Sequence, residues 1–312
     1  MANLVEMVNK GSTRVVWVGN LGELIMVMSR NLSALDVGTC SHRFPGIDMA
    51  RIDFAEKFFA MLDEHNITHN FVYRIDRRTV AVREFRRYKL QSGIYSLMSA
   101  LSGVDNGRLL PLECLVRLEV AKRGFLDRLE DSDDPLTPER LGVSSSDELS
   151  VGSRLDPIYV EFSTKLEQPK DRYIDDDEAM KISGVTSEQL DNIKTIARRI
   201  AVLLSRQASK NGFNLKDLKL EFAIGCNGDV IVADLMSPDE TRMVDEDGFS
   251  YDKDIFRDWL ESVGFTALVK QAREEAKVNG HDPIYPEYPH VTSATSKAVS
   301  NGYRAVVDAF WA

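Results

Sequence analysis

Apolar residues recur along the strand-like runs Arg14-Val15-Val16-Trp17-Val18 and Glu23-Leu24-Ile25-Met26-Val27-Met28, and Gly19-Asn20-Leu21-Gly22 between them predicts a β-hairpin. From 46 to 65 the period lengthens to that of a helix. Ile47, Ile52, Phe54, Phe58, Phe59 and Leu62 share one face, and His65-Asn66 supplies a stop. A strand pair follows, Phe71–Ile75 and Thr79–Phe85, turned at Asp76-Arg77-Arg78, and the run Leu109–Val116 reads as one buried strand. Between about 130 and 155 the chain becomes acidic and rich in Ser and Pro, which predicts a long surface loop without a core of its own. Thr186 and Gln189 then form a capping box ahead of the stripe Ile193, Ile196, Ile200, Leu203 and Leu204, with Gly212 past the helix end. Further helices are expected at 255–263, 266–277 and 293–310. Strands mixed with helices, without regular βαβ alternation, place the chain in the α+β class.

The segment richest in chemistry is Asp217-Leu218-Lys219-Leu220-Glu221-Phe222-Ala223-Ile224, where alternation buries one face and presents Asp217, Lys219 and Glu221 on the other. After Asn227-Gly228, a strong hairpin signal, a second strand runs from Asp229 to Asp234. A two-residue turn centred on Asn227 and Gly228 sets Glu221 directly opposite Asp234. At about 5 Å and an effective dielectric near 20, two such charges repel by roughly 3 kcal/mol, so the pair needs compensation. A cation bound by oxygen ligands alone suits magnesium better than zinc. Neutralisation by Lys219, or a different register, is the alternative.

Bulk properties narrow the partners. The chain has 312 residues, 43% of them hydrophobic, enough for a sizeable core, and a formal net charge of −10 that disfavours nucleic acid or an anionic membrane surface. No run is long enough to span a bilayer, and the start lacks the charged and apolar regions of a signal peptide, so a cytoplasmic location is expected. Cys40, Cys114 and Cys226 form neither a metal spacing nor an even disulfide set. His65 and His69 stand four apart, but Asn66-Ile67-Thr68 reads as a helix end rather than a zinc-binding helix.

Taken in order, the motifs resemble those of the SAICAR synthetase family. Lys10-Gly11-Ser12-Thr13-Arg14 is similar to its N-terminal phosphate-binding turn, and Ser33-Ala34-Leu35-Asp36 to its Ser-Ala-x-Asp. Pro111-Leu112-Glu113-Cys114-Leu115-Val116-Arg117 resembles the nucleotide-hinge strand and its Arg, and Ser163-Thr164-Lys165-Leu166-Glu167-Gln168 the family's Ser-Thr-Lys-Ala-Glu-Gln. The 217–222 segment, Ser237-Pro238-Asp239-Glu240-Thr241-Arg242, and Ser250-Tyr251-Asp252-Lys253 through Leu260 continue the series.

The resemblance implies an ATP-grasp-like fold with antiparallel sheets flanked by helices and the active site in a cleft. A β-rich unit over 1–110 and an α+β unit over 111–312 would form its two sides. It implies ATP held by Lys10, Gly11, Ser12, Arg14, Arg108, Leu110 and Glu113, and Mg2+ held by Glu221 and Asp234. Ser33, Asp36, Arg117, Lys165, Asp217, Asp239 and Arg242 would face the second substrate, with Lys219 and Arg242 catalytic. The implied reaction joins L-aspartate to a carboxylated imidazole nucleotide: ATP phosphorylates the carboxylate, and the amine displaces the phosphate. The implied partners are small molecules, with a homo-oligomer left open.

Two departures lie on the acceptor side. Where the family carries a stretch ending in Gly-Ser after the hinge Arg, this chain reads Leu118-Glu119-Val120-Ala121-Lys122-Arg123-Gly124-Phe125, so Lys122 and Arg123 are the candidate substitutes for the lost phosphate contact. Where the family has a His-Asp pair, the chain reads Pro169-Lys170-Asp171-Arg172-Tyr173. The usual Asp-Glu of the second hairpin strand is Ala233-Asp234. These changes raise a related ligase with another acceptor, or a non-catalytic nucleotide binder, beside the ordinary activity.

Overall fold

The computed structural model describes residues 6–19, 21–120, 125–129, 134–167 and 171–310. The chain opens with β1 (Glu6–Lys10), β2 (Arg14–Val18) and β3 (Glu23–Met28). Helix α1 (Ile47–Glu64) leads into β4 (Phe71–Asp76), β5 (Thr79–Arg83) and a small hairpin of β6 (Tyr88–Gln91) and β7 (Ile94–Leu97). Next come β8 (Arg108–Leu109), β9 (Leu112–Glu119), α2 (Phe125–Leu129), β10 (Arg154–Thr164), β11 (Tyr173–Ile174), α3 (Asp176–Ser183) and α4 (Ser187–Lys210). The remainder is β12 (Phe213–Ile224), β13 (Val230–Ala233), β14 (Thr241–Asp245), α5 (Asp254–Ser262), α6 (Phe265–Asn279) and α7 (Ser293–Phe310).

The first five strands form one sheet in the order β1-β2-β3-β5-β4, and a seven-stranded sheet runs β11-β10-β9-β12-β13 with β8 and β14 also paired to β12. Alternation decides what each face of the second sheet does. Leu112, Cys114 and Val116 of β9, Val160 and Phe162 of β10, and Leu218, Leu220 and Phe222 of β12 are buried on the face covered by α4. Its apolar stripe includes Ile193, Ala197, Ile200 and Leu204, and its N-terminus carries the expected Thr186/Gln189 capping box. The opposite face carries Arg117, Glu119, Glu161, Asp217, Lys219 and Glu221, and becomes the floor of the site. One buried cluster runs from Val16 through α1 and the second sheet to Val307 of α7, so the two sheets share a hydrophobic core.

Several expectations shift. The strand expected over Leu109–Val116 is broken at Leu110-Pro111 into β8 and β9, because proline has no N–H for the ladder; both pieces still pair with β12. Gly107, ahead of β8, has φ +110, and a Cβ there would lie 2.1 Å from the Ile224 carbonyl oxygen, so only glycine fits. The region expected to lack a core has one: Leu136, Leu141 and Leu155 bury against Val120 and Phe125. A Ser145/Glu148 capping box closes the short turn that follows. Residues 130–133 lie outside the described residues, as does Asn20 of the expected first hairpin turn. Among the described residues, no helix is long and apolar enough to cross a membrane.

Candidate active site

The β12–β13 hairpin is offset by one residue from the two-residue turn. Glu221 pairs with Ala233, and Ile224 with Val230. The reason is local. Gly225 N–H bonds to Asp229 O at 2.9 Å, Gly228 N–H bonds to Gly225 O at 2.9 Å, and Gly228 adopts φ +86. This is a type I turn followed by a left-handed residue, which consumes three residues rather than two. Asp234 therefore lies beyond the strand end, where its own left-handed backbone, φ +62, re-aims the side chain. Asp234 and Glu221 line the same cavity despite the altered register.

Two cations compensate the pair. Arg14 reaches both oxygens of Asp234 at 2.6 Å, and Lys165 pairs with Glu221. Burial works against the Asp234 carboxylate, but Arg14 and Lys165 outweigh it and hold its pKa down at about 2. For Glu221 burial wins, with Asp234 adding to it, and the pKa rises despite Lys165. Lys219, the alternative neutraliser, stands two residues before Glu221 but bonds Glu113 at 2.6 Å. Its ammonium is held above the ordinary range although burial opposes this, because Glu113 and Glu221 both face it.

The cavity over this charged end measures about 250 Å³. Its apolar walls are Val16, Leu24 and Met26 from β2 and β3, Val82 from β5, and Leu110 from the β8–β9 junction, and Arg83, Arg87 and Tyr88 line it as well. A slot with apolar side chains along its walls and a charged end is complementary to a ligand that has both a flat apolar part and anionic groups. Asn70, which no sequence signal singled out, also lines it.

Farther along the floor lies an arginine cluster. A bulge at Lys216 sets two residues of β12 against one of β14, so Asp217 pairs with Arg242 as well as with Arg117. Arg242 bonds Asp217 at 2.5 Å and Asp254 at 2.9 Å, rather than the Asp239 or Asp245 that a surface arginine would have found. Arg117 bonds Asp217 at 3.3 Å, Glu161 at 2.8 Å and the Tyr173 hydroxyl at 3.2 Å. Arg128 also bonds Glu161, at 2.8 Å, and lies 3.3 Å from the Tyr173 ring centroid. Lys122 and Arg123 lie outside the described residues.

Asp239 is placed beneath the site rather than facing it. Its side chain is only 3% exposed, and it accepts from Arg51 at 2.5 and 3.1 Å and from Tyr303 at 3.0 Å. Beside it, the Glu240 carboxyl accepts from Ser237 at 2.6 Å, and burial together with Asp239 pushes its pKa up to about 7. Glu240 shares a small cavity with Lys219, Glu221 and Asp234. Burial holds the Lys253 ammonium below the ordinary lysine range despite the attraction of Asp239. Sequence reasoning gave roles to neither Glu240 nor Lys253.

The remaining candidates are more scattered. Gly11 N–H bonds Arg14 O at 2.9 Å to close the β1–β2 turn, and Ser12 O accepts from the Ser29 hydroxyl at 2.8 Å. The Lys10 side chain lies outside the described residues. Arg108 turns to the Gly184 carbonyl at 2.9 Å, away from the cavity lining. Ser33 bridges Thr39, and Asp36 is exposed with Arg273 at 3.8 Å, in a loop held by the Tyr288 hydroxyl at Ala34.

With this geometry established, the comparisons converge. The sequence profile of the SAICAR synthetase family matches residues 7–272. A phosphoribosylaminoimidazole-succinocarboxamide synthase of Pyrococcus abyssi is 30% identical over 236 residues, 75% of this chain and 82% of its own. One of Nitrosopumilus maritimus is 26% identical over 292 residues, 91% of this chain and 92% of its own. A solved SAICAR synthetase (Type-2) in complex with ADP aligns over 89% of this chain and 100% of its own, with TM-score 0.63 and 25% identity. The SAICAR synthase of Saccharomyces cerevisiae, complexed with SAICAR, covers 99% of this chain and 95% of its own with TM-score 0.70; at 16% identity that is a likeness of fold. The α+β, ATP-grasp-like architecture is that of these proteins.

Proposed function

The chain belongs to the SAICAR synthetase family, and from that premise we propose that it is an ATP-dependent ligase joining a carboxylate to an amine through an acyl phosphate. The ordinary substrates of such an enzyme are a carboxylated imidazole nucleotide and L-aspartate. The observation that carries this reading is the pairing of Glu221 and Asp234 with Lys165 and Arg14 at the charged end of an apolar-walled cavity.

The chemistry demands such an arrangement. A carboxylate is a poor electrophile, so one of its oxygens first attacks the terminal phosphorus of ATP and ADP leaves. The amine then attacks the acyl carbon, the carbon–oxygen bond to phosphate breaks, and the amine's surplus proton is lost. Arg14 and Lys165 are the cations placed to meet the charge that spreads over the transferring phosphoryl group. The oxygen-only donors Glu221 and Asp234 fit magnesium, and among the described residues no group of three or more His, Cys, Asp or Glu is arranged to hold a metal ion. Two protein ligands leave the other positions to phosphate and water, as magnesium prefers. When bound, the ion would neutralise phosphate charge.

Arg117, Asp217 and Arg242 form the acceptor end. Their mutual bonds pre-orient both guanidinium groups, which suit a carboxylate or phosphate bidentately. The engagement of Arg117 and Arg128 by Glu161, beside the altered Gly-Ser stretch, supports a second reading in which the acceptor differs from the usual imidazole nucleotide.

The test is ADP release with ATP and magnesium, comparing carboxyaminoimidazole ribonucleotide plus L-aspartate against either alone. Turnover requiring both, with formation of the succinocarboxamide, is the expected result. Folded protein that binds ATP yet turns over neither would overturn the ordinary substrates and favour the second reading.

A further inference from the structure

Asn70 is an amide in an unusual position. It is 4% exposed, lines the apolar-walled cavity, and its side-chain oxygen has no hydrogen-bond partner. Buried polar atoms are rarely left unpaired, because removing an amide from water without replacement is costly. The backbone gives this side chain little freedom to escape. Its N–H bonds Val232 O at 3.0 Å, and its carbonyl accepts from Arg83 N–H at 2.7 Å, so the residue is pinned between β5 and β13. The cavity walls nearest in the ladder are Val82, beside Arg83, and Leu24, which pairs with Val82. Both are apolar, while Arg83, Arg87 and Tyr88 also line the cavity.

We propose that Asn70 is a specificity-determining residue of the nucleotide site, its side-chain oxygen accepting a hydrogen bond from the 6-amino group of adenine. This rests on reading the cavity as the ATP site. The complementarity is chemical: an acceptor needs a donor, and phosphate oxygens ionised near neutral pH supply none. The donors on ATP are the exocyclic amine and the ribose hydroxyls. The apolar side chains of Val82 and Leu24 on this wall match the base better than the ribose. A site built to hydrogen-bond a ligand group discriminates against the analogue that lacks it, since the protein partner is then stranded.

The experiment measures equilibrium binding of ATP, purine riboside triphosphate, which lacks the 6-amino group, and 2′-deoxy-ATP. The proteins are the wild type, Asn70→Leu and Asn70→Ala, each first shown to melt cooperatively. Wild type is expected to prefer ATP over purine riboside triphosphate by about tenfold, and both variants to bring that ratio close to one, leaving the 2′-deoxy ratio unchanged. Because Asn70→Leu removes an unpaired polar atom, its melting temperature should not fall, and Asn70→Ala serves if the larger side chain blocks the slot. A variant ratio equal to wild type would overturn the assignment, as would loss of the 2′-deoxy discrimination instead. A wild type that binds none of the three would overturn the reading of the cavity itself.

Discussion

Glu221 and Asp234 show how one burial can have two electrostatic outcomes. Arg14 holds Asp234 ionised, whereas for Glu221 burial and the neighbouring carboxylate outweigh Lys165 and Lys219, so its charge comes at a cost. Glu221→Gln therefore relieves a buried charge while removing a proposed metal ligand. Turnover should fall by at least about a hundredfold with the melting temperature nearly kept; parallel loss of both would make Glu221 a structural residue. Glu240 gives a prediction in pH. Its folded pKa, about 7 against an ordinary 4.5, means the native state holds the extra proton between those values. Stability from this group is thus lost as pH rises through that window, and the full penalty applies above it. Glu240→Gln removes the titration, so denaturant unfolding at pH 5 and pH 8 should show the variant gaining about 2 to 3 kcal/mol on wild type at the higher pH. An unchanged difference would mean Glu240 titrates normally. The charge conflict at Glu221 and Asp234 was legible from residue types and alternation, whereas the compensating cations, Arg14 of β2 and Lys165 just past β10, are distant in sequence and the spacing could not reveal them. Asn70 and Arg51 were equally invisible, since nothing local distinguishes a buried polar residue from a solvated one.

Among the elements, long helices were read almost to the residue, because α1 carries period and stop and α4 carries period, cap and stop together. Hairpins were harder. Asn227-Gly228 announced a turn but not its length, and one extra loop residue moved the whole register. The bulge at Lys216 had no signature either, since Lys216-Asp217 looks like an ordinary break in alternation. Helix α7 was anticipated as an element, though not its role. Val299, Tyr303, Val306 and Val307 are completely buried, α7 packs on α1, and the Tyr303 hydroxyl secures Asp239 at 3.0 Å. At roughly 2 kcal/mol per buried side chain, those four contribute about 8 kcal/mol, comparable with the net stability of a whole domain. A chain ending at residue 292 should consequently lose its cooperative melting transition. The milder Tyr303→Phe should lower stability by about 1 kcal/mol while melting cooperatively. A truncated chain that still unfolds cooperatively near the wild-type temperature would show α7 to be an appendage.

At the scale of the whole molecule, the α+β class followed from the mixture of strands and helices, but the way the two sheets meet did not, because it depends on contacts between segments far apart in sequence. The cavity draws walls from β2, β3 and β5 of one sheet and its charged end from β12 and the residue after β13 of the other. The Arg14–Asp234 pair crosses that junction directly, and the buried core is continuous through it. A nucleotide in the cavity would therefore stabilise both sheets at once, and unfolding should remain a single transition with and without it. ATP at a hundredfold excess over its dissociation constant adds about 2.7 kcal/mol, which for a chain of this size raises the melting temperature by roughly 5 °C. Calorimetry with ATP and magnesium checks both statements. Two transitions, only one of which moves with ATP, would mean that the sheets unfold separately and that the cavity belongs to one of them alone; a single transition shifted as a unit is what a ligand clamped between them requires.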